Sequence, residues 1–134
     1  MRPWTLILTL ILLATPAWAI DFTPTGSVLT VTYLEPTTNT DGSPINDLAS
    51  TNVSYRLCPT SGPCAAPYTL GPNIAATAPT GGGSISTQVT VPVGPGQEAN
   101  VEVFATATDT SGNVSPESAH VTKRVDRLPP SPPQ

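Results

Sequence analysis

The strongest constraint on the fold is a repeated alternation of apolar and polar side chains. In Val28–Leu34, the side chains of Leu29, Val31 and Tyr33 fall on one face and two threonines fall on the other. Period-two alternation is typical of a strand, whereas no stretch of this chain sustains the apolar spacing of a helix. The same alternation recurs in four further runs, which are Asn52–Cys58, Ile85–Val93, Val101–Thr108 and Ala119–Val125. The pattern predicts strands that each bury one face, as antiparallel sheets do.

Turn-forming residues separate these runs. Clusters of Gly, Pro, Asn and Asp lie between them, Tyr68–Leu70 adds a weaker strand, and Pro72–Gly83 is predicted to be irregular. Pro92 places the run that contains it at a sheet edge or a bulge. The proline-rich residues 127–134 are predicted to be a disordered tail. Several short strands divided in this way predict an all-β fold, an immunoglobulin-like β-sandwich of about seven strands over residues 20–126.

The N-terminus has the pattern of an export signal. Arg2 supplies a positive charge, Trp4–Ala14 is a run of apolar residues and threonine, and Ala17 and Ala19 are small residues at the positions that a signal peptidase reads. These features predict a signal peptide over residues 1–19. The apolar run is too short to span roughly 30 Å of hydrocarbon as a helix. An uncleaved membrane anchor is the alternative that the sequence leaves open.

Length and charge narrow the classes of function. The chain has 134 residues, enough for one domain, and carries 5 Lys and Arg against 9 Asp and Glu, a net charge of −4. Arg2 is the one charged residue of the predicted signal, so cleavage changes the net charge from −4 to −5. This balance argues against a nucleic-acid surface, and no stable membrane insertion is expected once the signal is removed. The predicted location is secreted or periplasmic.

Two cysteines lie close together in the sequence. Cys58 and Cys64 enclose the turn residues Pro-Thr-Ser-Gly-Pro, and an exported chain with two cysteines favours one disulfide. A redox site normally has two residues between its cysteines and a helix N-terminus beside them, which this segment lacks. A zinc site would need four ligands, and His120 is the only histidine. The spacing therefore predicts a structural disulfide.

The order of the strands resembles that of fibronectin type III domains. The segment SVLTVTYLEP followed by TTNTDGSPIN resembles strand B and the B–C loop of bacterial members, and Asn52–Leu57 resembles strand C. Val103–Ser118, VFATATDTSGNVSPES, resembles strand F, the F–G turn and the start of strand G. The resemblance implies a sandwich of the fibronectin type III type. Two departures are Tyr33, where the family usually has tryptophan, and Val101, where it usually has the tyrosine of the tyrosine corner.

A short first strand is a third departure from the family pattern. Only Ile20–Gly26 precedes strand B, and Pro24 interrupts it. Such a strand leaves a weakly covered sheet edge, and an exposed edge is a template for pairing with another chain. A proline that blunts the edge is the simpler interpretation.

The sequence offers no defensible catalytic or cofactor site. His120 falls on the outward face of its predicted strand, no Ser or Cys lies in a nucleophile motif, and the acids are scattered. Oxygen-rich loops such as Asn39–Asp47 can hold calcium, but their spacing differs from the twelve-residue calcium loop and matches ordinary turn chemistry. We therefore expect a protein that is not an enzyme and holds no metal or cofactor.

The candidate contact surface lies in two loops and on one aromatic ring. The residues are Asp41, Gly42, Asn46, Asp47, Asp109, Asn113 and Phe104, the last expected to face outward from its strand. They predict an exported, non-catalytic binding or adhesion module for a protein or cell-surface ligand. One alternative is a structural subunit of an extracellular or virion-like assembly that uses the open edge. Another is an accessory module of a polysaccharide-acting enzyme, for which only Tyr68 and Phe104 could be exposed sugar-stacking rings.

Overall fold

A computed structural model describes residues 19–134 as seven β-strands. The predicted signal peptide lies outside the described residues except for Ala19. No helix in the described range is long and apolar enough to cross a membrane. The strands are β1 Asp21–Thr25, β2 Val28–Leu34, β3 Leu48–Cys58, β4 Thr69–Ala75, β5 Ser84–Thr90, β6 Glu98–Asp109 and β7 Val121–Asp126.

The strands form two antiparallel sheets, consistent with a β-sandwich. One sheet has the order β1-β2-β5 and the other has the order β4-β3-β6-β7. The predicted all-β fold with about seven strands is therefore confirmed. In the second sheet, β3 and β6 are paired from Leu48 opposite Asp109 to Cys58 opposite Asn100. We call the end of the sandwich at Leu48 and Asp109 the loop end, because the loops that follow β2 and β6 meet there.

The core lies between the sheets and is built from the alternating residues of the long strands. Leu29, Val31 and Tyr33 of β2 are buried, as the sequence predicts. Val53 of β3 and Val103 of β6 face them from the other sheet and are fully buried. A smaller apolar cluster of Ile45, Leu48 and Ala107 lies at the loop end. The core therefore continues up to the loops instead of ending with the sheets.

Several strand boundaries differ from the prediction, and β3 and β6 begin four and three residues earlier than predicted. β5 ends at Thr90, and the segment through Pro92 to Val93 lies outside the ladder although Val93 stays buried. β7 begins at Val121 and not at Ala119. β4 continues through Ala75, so the prediction that its second half is irregular was wrong.

Edge position and close packing explain why β4 tolerates glycine and proline. β4 pairs only with β3, and a proline is tolerated at such an edge because its missing N–H removes no inner ladder bond. Ile74 packs against the core and fixes which face of β4 is buried. At Gly71, a Cβ would lie 2.6 Å from the Val53 carbonyl oxygen, so only glycine permits this approach.

A buried carboxylate fixes the chain between β4 and β5. Glu35 is 3% exposed and follows β2. Its side chain accepts hydrogen bonds from the Thr77 N–H at 2.8 Å, the Thr77 hydroxyl at 2.5 Å and the Gly83 N–H at 3.1 Å. The Glu35 N–H also donates to the Gly83 carbonyl oxygen at 2.9 Å. These bonds satisfy a buried charge and hold residues 77–83 against the end of β2.

Candidate functional site

The two loops of the predicted contact surface meet at the loop end. The loop after β2 leads into β3 at Leu48, and the turn after β6 begins at Asp109, which is paired with Leu48. The Thr110 N–H donates to the Asp47 carbonyl oxygen at 2.9 Å and joins the two loops directly. Asp41, Gly42, Asn46 and Asp47 lie in the first loop, and Asp109 and Asn113 lie in the second.

The first loop is a tight hairpin stabilised by its own polar side chains. The Asp41 carboxylate accepts hydrogen bonds from the Ser43 hydroxyl at 2.6 Å and the Ser43 N–H at 2.9 Å. These hydrogen bonds lower the pKa of Asp41 from its ordinary value. Gly42 has a φ of +84°, a left-handed conformation that favours glycine. Thr38 and Pro44 form a bridge that closes the hairpin.

The second loop is fixed by one carboxylate. Asp109 Oδ1 accepts hydrogen bonds from the N–H groups of Ser111 and Asn113 at 2.9 Å each. Asp109 Oδ2 accepts from the Asn113 side-chain amide at 2.8 Å. These hydrogen bonds hold the pKa of Asp109 below its ordinary value, and the bond from the Asn113 side chain has the largest effect. The turn is therefore preformed, and its carboxylate stays ionised.

A cleft of about 710 Å³ lies between the loops. It is lined by residues of two stretches, 36–48 and 107–119, and we call it the loop-end cleft. Its floor contains the small apolar cluster of Ile45, Leu48 and Ala107. Asp109 and Asn113 line it, whereas the four predicted residues of the first loop lie beside it and do not line it. A volume of this size falls within the range of about 300–1,000 Å³ that is usual for ligand-binding clefts.

One wall of the cleft runs beside β6 as an irregular strand. The Ala107 N–H donates to the Ser115 hydroxyl and the Ala105 N–H donates to the Ser118 hydroxyl, both at 2.9 Å. The same hydroxyls donate in turn to the carbonyl oxygens of Pro116, at 2.8 Å, and Ala119, at 3.1 Å. Serine hydroxyls replace the carbonyl acceptors of a regular strand, while the Ala105 and Ala107 carbonyl oxygens still accept from the N–H groups of Ser118 and Ser115. This mixed pattern explains why β7 begins only at Val121. Each serine both donates and accepts, so these hydroxyls serve the backbone.

His120 joins the wall of the cleft to the sheet. Its Nδ1 lies 2.5 Å from Glu102 Oε1 and its Nε2 lies 2.8 Å from Glu117 Oε2. Carboxylates at both nitrogens favour the imidazolium, and they raise the pKa of His120, with Glu102 the larger cause. The His120 bond, assisted by Tyr68 and Arg56, lowers the pKa of Glu102 to about 2. When protonated, the ring donates to both carboxylates.

The expectation that Phe104 is an exposed contact ring was wrong. Phe104 is 6% exposed although its strand position faces away from the core. Its ring stacks on His120 with centroids 4.8 Å apart, and Tyr68 packs edge-on against it at the same centroid distance. The Tyr68 hydroxyl also donates to Glu102 at 2.8 Å. Neighbouring side chains therefore form a second apolar layer on the outer face of the sheet and remove Phe104 from the contact surface.

The predicted disulfide is present in the structure. It joins Cys58, the last residue of β3, to Cys64. The chain-entropy relation gives about 2 kcal/mol for so small a ring. Glu102 lies close enough to complete a group of three potential metal ligands with the two sulfurs, all within 4.8 Å of one another. Because the sulfurs are bonded to each other, neither is a free thiolate ligand in this state.

The outer edge of β1 is covered by side chains. The Phe22 N–H donates to the Asp21 carboxylate at 2.9 Å, and the Phe22 carbonyl oxygen accepts from Lys123 Nζ at 2.6 Å. Lys123 also forms an ion pair with Asp21 at 2.6 Å. Pro24 lies two residues after Phe22, so its backbone groups also point toward the outer edge of β1. Because proline has no N–H, it cannot donate a hydrogen bond to an added strand. This edge therefore presents few of the free groups that an added strand needs.

The comparisons with known proteins give no assignment. No family model matches the chain, and no curated protein or solved structure is significantly similar to it.

Proposed function

We propose that this protein is an exported, non-catalytic binding module whose contact surface is the loop-end cleft. The observation that carries this proposal is the cleft itself. Two preformed loops enclose it, apolar side chains form part of its floor, and its lining reaches an exposed valine at the rim. Val114 is 63% exposed and offers an apolar side chain that a partner seated in the cleft would cover.

The polar groups around the cleft support binding over catalysis. Ser115 and Ser118 use their hydroxyls to complete the backbone bonding of β6. His120 is held between two carboxylates, and Asp109 accepts the hydrogen bonds of its own turn. These serine, histidine and aspartate side chains are therefore engaged in maintaining the cleft.

Export and the finer fold type belong to the same proposal. The signal-like N-terminus and the Cys58–Cys64 disulfide support a secreted or periplasmic location. The two antiparallel sheets support a sandwich of the fibronectin type III type. Assembly through the β1 edge is the weaker candidate, because Lys123, Asp21 and Pro24 cover that edge.

Selection from random linear peptides displayed on phage tests the location of the binding surface. The oxidised protein is immobilised, and the selected peptides are compared on two variants. Val114→Arg places a long charged side chain at the rim of the cleft. Leu70→Arg makes the same change on β4, where Leu70 is 72% exposed and does not line the cleft.

We expect the selected peptides to bind the wild type and Leu70→Arg equally. Binding to Val114→Arg should fall by at least about tenfold, since loss of a buried apolar contact costs about 1.5 kcal/mol or more. Both variants should unfold at the wild-type temperature, because both changed side chains are exposed. Peptides that depend on position 70 and not on position 114, or no enrichment at all, would overturn the proposal.

A further inference from the structure

We propose that the partner of the loop-end cleft is an extended protein segment that carries basic side chains beside apolar ones. This inference rests on the proposed function and adds the chemistry of the partner. It is carried by the shape of the cleft, by its apolar floor and by the distribution of charge over the described residues.

The apolar part of the cleft calls for apolar side chains in the partner. Ile45, Leu48 and Ala107 form the floor of the cleft but are themselves buried. The apolar surface that a partner can cover comes from the exposed wall residue Pro116 and from the rim. Val114 adds an exposed apolar surface at the rim. Covering such surface is favourable at about 25 cal/mol per Å², so a purely polar ligand would leave this term unused.

The charges of the sandwich are separated along its length. Asp41, Asp47, Asp109 and Glu117 all lie at the loop end or in the wall of the cleft. Four Lys and Arg residues lie in the described range, and each is beside the start of β6 or the residue before it, toward the opposite end: Arg56, Lys123, Arg124 and Arg127. Arg56, Lys123 and Arg124 are already paired with carboxylates. The loop end therefore presents an acidic surface that complements a basic partner.

Asp109 and Glu117 are the acids that line the cleft. Asp109 has no cation among its hydrogen-bond partners, which are Ser111 and Asn113. Glu117 pairs with His120, and His120 also pairs with Glu102, so the charge of Glu117 is partly compensated. Asp109 therefore contributes the larger uncompensated charge, and Glu117 the smaller one.

The form of the cleft favours an extended segment. Seven consecutive residues, Asn113 to Ala119, line one wall, and the hairpin that contains Asn39 and Thr40 lies on the other side. An extended chain rises about 3.3 Å per residue, so an extended partner segment with a similar number of residues can lie along this wall.

Two synthetic peptides test the inference directly. Both are capped heptapeptides in which leucine alternates with a charged residue, which is arginine in one peptide and glutamate in the other. Binding to the oxidised protein is followed by fluorescence polarisation at low and at physiological salt. We expect the arginine peptide to bind at least about fivefold more tightly than the glutamate peptide, with the difference shrinking as salt is added.

Charge-neutralising variants locate the preference. Asp109→Asn keeps an acceptor oxygen for the turn, and Glu117→Gln keeps one for His120. Each should weaken the arginine peptide by about two- to fivefold, Asp109→Asn the more strongly. Asp126→Asn removes the same charge at the opposite end of the sandwich and should leave binding unchanged.

The outcomes separate the two proposals. Equal affinity for the two peptides, or a preference that survives Asp109→Asn combined with Glu117→Gln, overturns the basic-partner inference. If selected phage peptides depend on Val114 but are neutral or acidic, the binding function stands and this inference falls. If the arginine peptide binds Val114→Arg as tightly as the wild type, the cleft is not its site and the basic-partner inference falls, while the binding function is still decided by the phage-selected peptides.

Discussion

His120 Nε2 lies 2.8 Å from Glu117 Oε2, while the other ring nitrogen lies 2.5 Å from Glu102 in β6. One ring therefore connects the wall of the loop-end cleft to the four-stranded sheet. Each contact is partly exposed, but together they hold the chain from Glu117 to the start of β7 in one position. The shape of the cleft should consequently depend on the protonation of His120.

The first prediction concerns pH. The raised pKa of His120 means that its stabilising contribution is complete below the ordinary value of 6.5 and is lost as pH rises through the folded value. The pKa of Glu102 is lowered to about 2, so its contribution is complete above the ordinary value of 4.5 and is lost as pH falls toward 2. The pair should stabilise the fold most between pH 4.5 and 6.5.

Chemical unfolding of wild type and His120→Gln measures this window. The difference in unfolding free energy should be larger near about pH 5.5 than near about pH 9. Proton NMR of the only histidine gives its pKa in the folded protein directly. A pKa of His120 at or below 6.5 in the folded protein would contradict its pairing with Glu102 and Glu117.

The second prediction concerns a hydrogen bond between the sheets. The Tyr33 hydroxyl of β2 lies 2.6 Å from the Thr51 hydroxyl of β3, and both residues are buried. Tyr33→Phe and Thr51→Val should each lower the free energy of unfolding by about 0.5–1.5 kcal/mol. The double variant should lose less free energy than the sum of the two single losses. Urea unfolding measures these values. Tyr55→Phe removes the same hydroxyl from a half-buried tyrosine and serves as the control; strict additivity would argue against the bond.

The third prediction concerns the buried carboxylate after β2. Glu35→Gln replaces an acceptor oxygen with a donor and leaves at least one group of Thr77 or Gly83 without a partner. The expected loss is about 1–3 kcal/mol of unfolding free energy. Gly83→Ala should act on the same network, because its Cβ would collide with the Thr77 hydroxyl. Asp126→Asn, at an exposed carboxylate, provides the comparison, and equal stability of all three variants would disprove the role of this network.

The fourth prediction concerns the edge of β1. Light scattering after size exclusion should give a monomer for the wild type at every concentration, since Lys123 and Pro24 cover the edge. Pro24→Val combined with Lys123→Ala restores an N–H and frees the Phe22 carbonyl oxygen, so this variant should self-associate more strongly. Lys123→Arg keeps a donor and should remain monomeric. A wild-type oligomer paired through β1 would favour the assembly function instead.

Local pattern predicts much of this fold. The alternation in Val28–Leu34 identifies the buried face of β2, because one face of an antiparallel sheet is wet and the other is dry. Turn chemistry likewise indicates Asp109 and Asn113, whose side chains bond to their own turn. These features depend on residues within a few positions of one another, and the structure places them accordingly.

Features that depend on distant segments could not be predicted in this way. Alternation predicts that Phe104 points away from the core. It does not predict that Tyr68 and His120, from two other segments, pack on the Phe104 ring and bury it. The floor of the cleft joins Ile45 and Ala107, which lie 62 positions apart in the sequence (107 − 45). The sequence predicts too short a β4, because glycine disfavours a strand locally. Close packing of β4 against Val53 nevertheless requires glycine at position 71.

Amide NMR of the isotopically labelled protein tests the central claim most directly. The claim is that the loop-end cleft is the binding surface. During titration with a peptide selected on the wild type, the shifts should concentrate in residues 38–45 and 107–119 and should saturate. Shifts confined to the face around Tyr68 and Leu70, or to the edge of β1, would contradict it.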